Sequence, residues 1–212
     1  MSGRMLALLP ALLSGILLAA CAAIAPDKPV RATLYDFGPG VTEPAAGAPS
    51  LAPIVLGEVE ASGALDGSAV LYRLAYADAN KLHPYAQARW SAPPPQLIRQ
   101  RLGAQLARAR PVLDLRDSAA LARSGGAMPR VLRIELEEFS HLFESQTQSW
   151  GLLRLRATLL ENTAAGEKVL GQRNIVRRER APSADASGGV RALAAATDGA
   201  AAEIGQWLLQ TP

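Results

Sequence analysis

The 212-residue chain carries 22 Lys and Arg against 19 Asp and Glu, a formal net charge of +3, with 49% hydrophobic and 19% charged residues. That balance belongs to an ordinary globular protein and excludes a disordered one, and the length allows one or two domains. A single cysteine, Cys21, excludes an internal disulfide and a cysteine-based metal site.

The first 20 residues read as an address. Arg4 supplies a short positive region, and Met5 to Leu18 is an apolar run broken by Pro10, Ser14 and Gly15. Leu18-Ala19-Ala20-Cys21 then places small residues before a cleavage point, which is signal-peptide architecture. The Leu-Ala-Ala-Cys text resembles the bacterial lipobox. That resemblance implies that Cys21 is lipidated, palmitate included, and becomes the first residue of the mature protein. The alternative, a transmembrane helix with a buried cysteine, has an apolar stretch only just long enough to span and a Pro- and Ala-rich tail. Residues 1–20 are therefore expected to be a signal peptide and 21–32 a tether from the lipidated Cys21. Residues 33–212 are expected to form one domain. Ala22 and Ala23 follow the cysteine, with no Asp, which under the familiar sorting rule implies an outer-membrane lipoprotein facing the periplasm, with inner-membrane anchoring left open.

Leu34-Tyr35-Asp36-Phe37-Gly38 is a short strand, and Val41 to Ala52, rich in Gly, Pro and Ala, is a loop. Pro53 to Ala61 is a second strand. Val70 to Ala77 is a third, with Val70, Tyr72, Leu74 and Tyr76 on one side and Leu71, Arg73, Ala75 and Ala77 on the other. His83-Pro84 predicts a turn. Pro93-Pro94-Pro95 precedes a helix whose apolar stripe is Ile98, Leu102, Leu106 and Ala109.

Pro111 to Leu115 predicts a short strand, Ala119 to Arg123 a helical piece, and Arg130 to Phe143 a long strand. In the last, Leu132, Ile134 and Leu136 share one face, and the apolar phase switches near Phe139, which predicts a bulge. Trp150 to Glu161 returns with Leu153, Leu155, Ala157 and Leu159 inward, so that Arg154 and Arg156 face Glu135 and Glu137. Lys168 to Arg178 completes a meander, Ala181 to Gly189 is a loop, and Val190 to Leu209 closes the chain as a helix. Its stripe is Val190, Leu193, Thr197, Ala201, Ile204 and Leu208. A meander and two amphipathic helices hide their apolar faces only by packing together. The expected fold is α+β, a single domain with a largely antiparallel sheet and two main helices on one face.

Nothing in the chain forms an enzyme constellation. His83 and His141, the two histidines, are about sixty residues apart with no ligand at metal spacing, and each reads as a surface or partly buried structural residue. No Gly-x-Ser-x-Gly elbow or phosphate loop is present, and Gly188-Gly189 is an isolated turn. The basic run Arg173 to Arg180 is interrupted by Ile175, Val176 and Glu179, a solvated strand edge rather than a nucleic-acid surface.

The text from Tyr72-Arg73 through Tyr85, Arg89-Trp90 and Pro94 into the helix resembles the ABC-type transport auxiliary lipoprotein family, and within it the PqiC-like subgroup that accompanies MCE-type lipid transporters. The resemblance runs more weakly from Leu34 to Leu209. It implies no catalysis and no cofactor, a lipid anchor, and partnership with an MCE-domain substrate-binding protein and ABC permease and ATPase subunits. A homo-oligomer is compatible with it. The candidate partner-binding or signature residues are Tyr72, Arg73, Tyr85, Arg89, Trp90 and Pro94. Core packing is the competing reading for the aromatic three, whereas an arginine near aromatics can stack or bind a carboxylate. The alternative functions are a stand-alone periplasmic lipid carrier, which needs an apolar cavity, or an outer-membrane assembly lipoprotein. A periplasmic hydrolase would need a nucleophile–base pair that the sequence lacks.

Overall fold

Strand β6, Arg130–Phe143, is the axis of the protein. One of its edges pairs antiparallel with β7 (Ser149–Thr163), which pairs antiparallel with β8 (Gly166–Arg180). The other edge is shared. β2 (Ile54–Ala61) runs parallel to its first half, from Ile54 opposite Arg130 to Ala61 opposite Leu136. β3 (Ala69–Leu74) runs parallel to its end, with Tyr72, Arg73 and Leu74 opposite His141, Leu142 and Phe143. Beyond β3 lie antiparallel β4 (Ala79–Trp90) and then parallel β1 (Thr33–Tyr35), while β5 (Val112–Leu113) extends β2. The long ladders are thus antiparallel, as expected, and the short ones at β2 and β3 are parallel. Among the described residues three helices complete the order: α1 (Ala75–Asp78), α2 (Pro94–Leu106) and α3 (Ala186–Gln210).

This computed structural model describes residues 31–40, 51–114 and 128–211, and from Ala32 onward the chain is one compact unit. The signal peptide, Cys21, most of the tether and of the 41–52 loop, and the helical piece at 119–123 lie outside the described residues.

The core forms because the period-two rows and the helical stripes meet. Leu132, Ile134 and Leu136 of β6, Leu153, Leu155, Ala157 and Leu159 of β7 and Ile175 of β8 are buried in one cluster with Ile98, Leu102 and Leu106 of α2. Val190, Leu193, Ala201, Ile204 and Leu208 of α3 join them. Each fully buried aliphatic side chain contributes about 1.5–3 kcal/mol. The small residues of α3 let its backbone lie directly on the sheet: a Cβ on Gly151 would sit 2.5 Å from the Ala192 carbonyl carbon and the Leu193 nitrogen. The opposite face carries the expected ladder. Arg156 bonds Glu135 at 2.9 Å and Glu137 at 2.6 Å, with Arg154 3.9 Å from Glu137, and such exposed pairs contribute little stability.

Several expectations are corrected. Residues 75–77 form α1 rather than a continuation of the third strand, so Tyr76 is exposed. His83-Pro84 is not a turn but lies inside β4. Proline is tolerated there because β1 covers only Ala88 to Trp90, leaving this part of β4 with no second neighbouring strand among the described residues to donate to. Ala109 falls past the end of α2 and is exposed. The final helix begins at Ala186, inside the expected loop, because the Asp185 carboxylate caps it by accepting from the Gly188 amide at 2.7 Å. Gly188-Gly189 therefore lies within the helix and is not an isolated turn.

Candidate functional site

The residues singled out in the sequence converge where β3, β4 and β6 meet. Arg73 points to the kink in β6, where the register with β7 shifts between Leu136 and Glu138. Its Nε and Nη2 donate to the two carboxylate oxygens of Glu138 at 3.1 and 3.0 Å, while Nη1 donates to the carbonyls of Ala79 and Asn80 at 3.2 and 3.5 Å. The side chains are only 20% and 13% exposed. This forked pair is of the strong, geometrically specific kind. It binds β3, the start of β4 and the bulge of β6 into one unit. Glu137 and Glu138, adjacent in sequence, go to different partners, so they form no carboxylate pair.

Arg89 turns back on its own strand, its Nη1 donating to the carbonyls of Tyr85 at 2.6 Å and Ala88 at 2.9 Å. Trp90 is 2% exposed, edge-on to Phe37 and tilted against Phe139, each 5.5 Å away between ring centres. Pro94 is buried in the first turn of α2. Of the six residues, Arg73 and Arg89 thus spend their guanidinium groups on contacts within the protein, and Trp90 and Pro94 are buried.

A second group, which joins Tyr72 and Tyr85 to both histidines, completes the junction. Tyr72 lies 4.6 Å from Tyr85, stacks on His83 at 5.3 Å and meets Phe143 at 6.1 Å. His141 packs on Phe143 at 4.3 Å, and its Nδ1 shares a 2.8 Å hydrogen bond with the Tyr85 hydroxyl. Contrary to the expectation of a surface or partly buried histidine, His141 is 0% exposed. Gly189 of α3 lies against its ring so closely that a side chain there would overlap it. The His141 Nε2 has no hydrogen-bond partner among the described residues. Burial pushes its pKa down to about 4, opposed by the nearby Asp185 carboxylate. The Tyr85 hydroxyl is pushed up, chiefly by burial, with Tyr72 and Asp185 adding to the effect. Both groups are thus held neutral near pH 7. Alternation could have signalled the group, since His83 and Tyr85, and again His141 and Phe143, are two residues apart on one face of a strand.

Among the described residues no three His, Cys, Asp or Glu side chains come together as a metal site, and no helix is long and apolar enough to cross a membrane. Surface grooves of about 250 to 410 Å³ run beside α2 and at the end of the sheet where α2 and α3 terminate.

A family model described as "ABC-type transport auxiliary lipoprotein component" matches residues 34–205. The chain belongs to that family. As a member of the ABC-type transport auxiliary lipoprotein family it is associated with the cell envelope and with an ABC-type transport system. Its fold recurs in the crystal structure of protein XCC0632 from Xanthomonas campestris, at a TM-score of 0.68 and 17% identity over 84% of this chain and 95% of that one. An uncharacterized protein gives a TM-score of 0.62 at 15% identity over 84% and 99% of the two chains. No curated protein matches the chain. In this chain the Tyr-Arg and Arg-Trp text belongs to an internal junction.

Proposed function

We propose that this auxiliary lipoprotein serves an MCE/ABC-type lipid transport system, tethered through Cys21 to the outer membrane and facing the periplasm. It works by surface contact with an MCE-domain protein and the ABC permease and ATPase subunits, and has no catalysis or cofactor of its own. The lipid moved is a phospholipid or a sterol-like molecule. The family match over residues 34–205 carries the reading. The inward-turned Arg73, Arg89 and Trp90 support a scaffold role for the junction, which leaves partner binding to the outer surface. The long outer edge of β8, which among the described residues pairs only with β7, offers a strand to a partner. Its exposed Lys168, Arg173, Arg178 and Arg180 guard it against indiscriminate pairing.

The test is affinity purification of the C-terminally tagged, full-length protein from native membranes in mild detergent, with mass spectrometry of what co-elutes. An MCE protein together with an ABC permease is the expected result. Elution alone with bound lipid would replace the reading by that of a stand-alone carrier.

A further inference from the structure

At the end of the sheet away from the aromatic junction, two arginines share one pocket. Arg110 follows α2, its amide bonded to the Leu106 carbonyl at 3.2 Å, and Arg130 is the first residue of β6, opposite Ile54 of β2. Together with Ile54, Leu159, Leu208 and Met128 they line a pocket of about 360 Å³. Ile54, Leu159 and Leu208 are buried, whereas Met128 is 47% exposed at the rim. Leu209, 56% exposed, extends the apolar surface into the adjoining groove beside Arg108.

Neither guanidinium has a hydrogen bond or ion pair among the described residues. Glu161 stands at the same pocket and pairs with neither. Burial, followed by the positive charge of Arg130, pulls the Arg110 pKa below its ordinary value, so the two cations repel. Other half-buried arginines have an acid or a backbone carbonyl as partner, as at Arg73–Glu138, Arg101–Asp198 and Arg89 with the Tyr85 carbonyl. Two unmatched, partly desolvated arginines are unfavourable unless an anion joins them, and the guanidinium fork suits phosphate oxygens. The C-terminal turns of α2 and α3 approach this end, and each offsets only about half a charge.

We propose that the Arg110–Arg130 pocket binds the phosphate headgroup of an anionic lipid, with the beginning of its acyl chain on Ile54, Leu159 and Leu208. The choice of a lipid rather than a free phosphate ester rests on the lipid-transport reading, and the apolar floor supports it.

The test is calorimetric titration of the full-length protein, in a nonionic detergent, with three probes: short-chain phosphatidylglycerol, phosphatidylcholine of the same chain length, and glycerol phosphate. Phosphatidylglycerol binds saturably, about tenfold or more tighter than either of the others, and weakens with added salt. Arg110→Gln with Arg130→Gln abolishes the preference, and Arg108→Gln keeps it. Equal binding of the two lipids, or a preference that survives the double substitution, overturns the proposal. Glycerol phosphate binding as tightly as phosphatidylglycerol overturns its lipid part. The wild-type comparison needs no variant and decides even if the double variant does not fold. Selective lipid binding by a protein that co-purifies with no transporter would keep the site and remove the transport reading.

Discussion

Replacing Trp90 by alanine distinguishes a core residue from a partner-binding one. The indole is 2% exposed and wedged between Phe37 and Phe139 at 5.5 Å, so the substitution removes nearly all of its contacts. An aromatic side chain buries about 150–250 Å², which at about 25 cal/mol per Å² is roughly 4–6 kcal/mol. Measured aromatic-to-alanine losses in cores run at about 3–5 kcal/mol. We expect about 4 kcal/mol, a large share of the roughly 5–15 kcal/mol that a domain has in all. Urea unfolding of the full-length protein followed by far-UV circular dichroism reads the loss as a lower midpoint with an unchanged m-value. Trp90→Phe, which keeps an aromatic ring between Phe37 and Phe139, should fall between the two. A loss below about 1.5 kcal/mol, accompanied by loss of co-purifying partners, would refute the core assignment and make Trp90 an interface residue.

Other outcomes follow from the same junction. Arg73→Met should destabilise by about 3 kcal/mol because it strands the Glu138 carboxylate, and Arg73→Met with Glu138→Leu should recover part of that loss; additive losses would show that the pair is not coupled. His141 has a folded pKa of about 4 against an ordinary 6.5, so the unfolded chain takes up its proton first as pH falls. Stability is then full above pH 6.5 and declines by about 1.4 kcal/mol per unit toward pH 4. Urea midpoints between pH 7 and 5 should show this slope in the wild type and lose it in His141→Gln. Glu144 and Asp185, whose pKa values are lowered by their hydrogen bonds, lose their contributions only at lower pH. A slope unchanged in His141→Gln would mean that another group is responsible. Gly151→Ala should cost about 1–3 kcal/mol, since the new methyl meets the α3 backbone, and an unchanged melting temperature would contradict that close approach.

The parts of the fold legible in the sequence were those that repeat. Alternation over Arg130 to Glu161 gave the β6–β7 pair and the Glu135–Arg156 contact, and helical spacing gave the stripes of both long helices apart from Ala109. What escaped depended on position in the sheet or on distant partners. Pro84 looked like a turn because its missing donor matters only where a second strand is present, and β1 stops short of it. Reading a turn there broke the alternation of His83 and Tyr85 and hid the aromatic group. That group joins residues 72–85 to 141–143, a pairing no local pattern contains. The sequence marks Arg73 as able to bind a carboxylate, but its partner Glu138 lies 65 residues away. The Arg110–Arg130 pocket was equally hidden, since the two lie on either side of the 115–127 segment.

The most direct test of the central claim is the rate at which a labelled phospholipid passes between inner and outer membranes in cells lacking this protein. Without the protein the rate should be slower, restored by the wild-type chain and not by Cys21→Ser, which removes the proposed lipidation site. A rate unchanged by loss of the protein, or restored fully by Cys21→Ser, would contradict a membrane-tethered transport subunit.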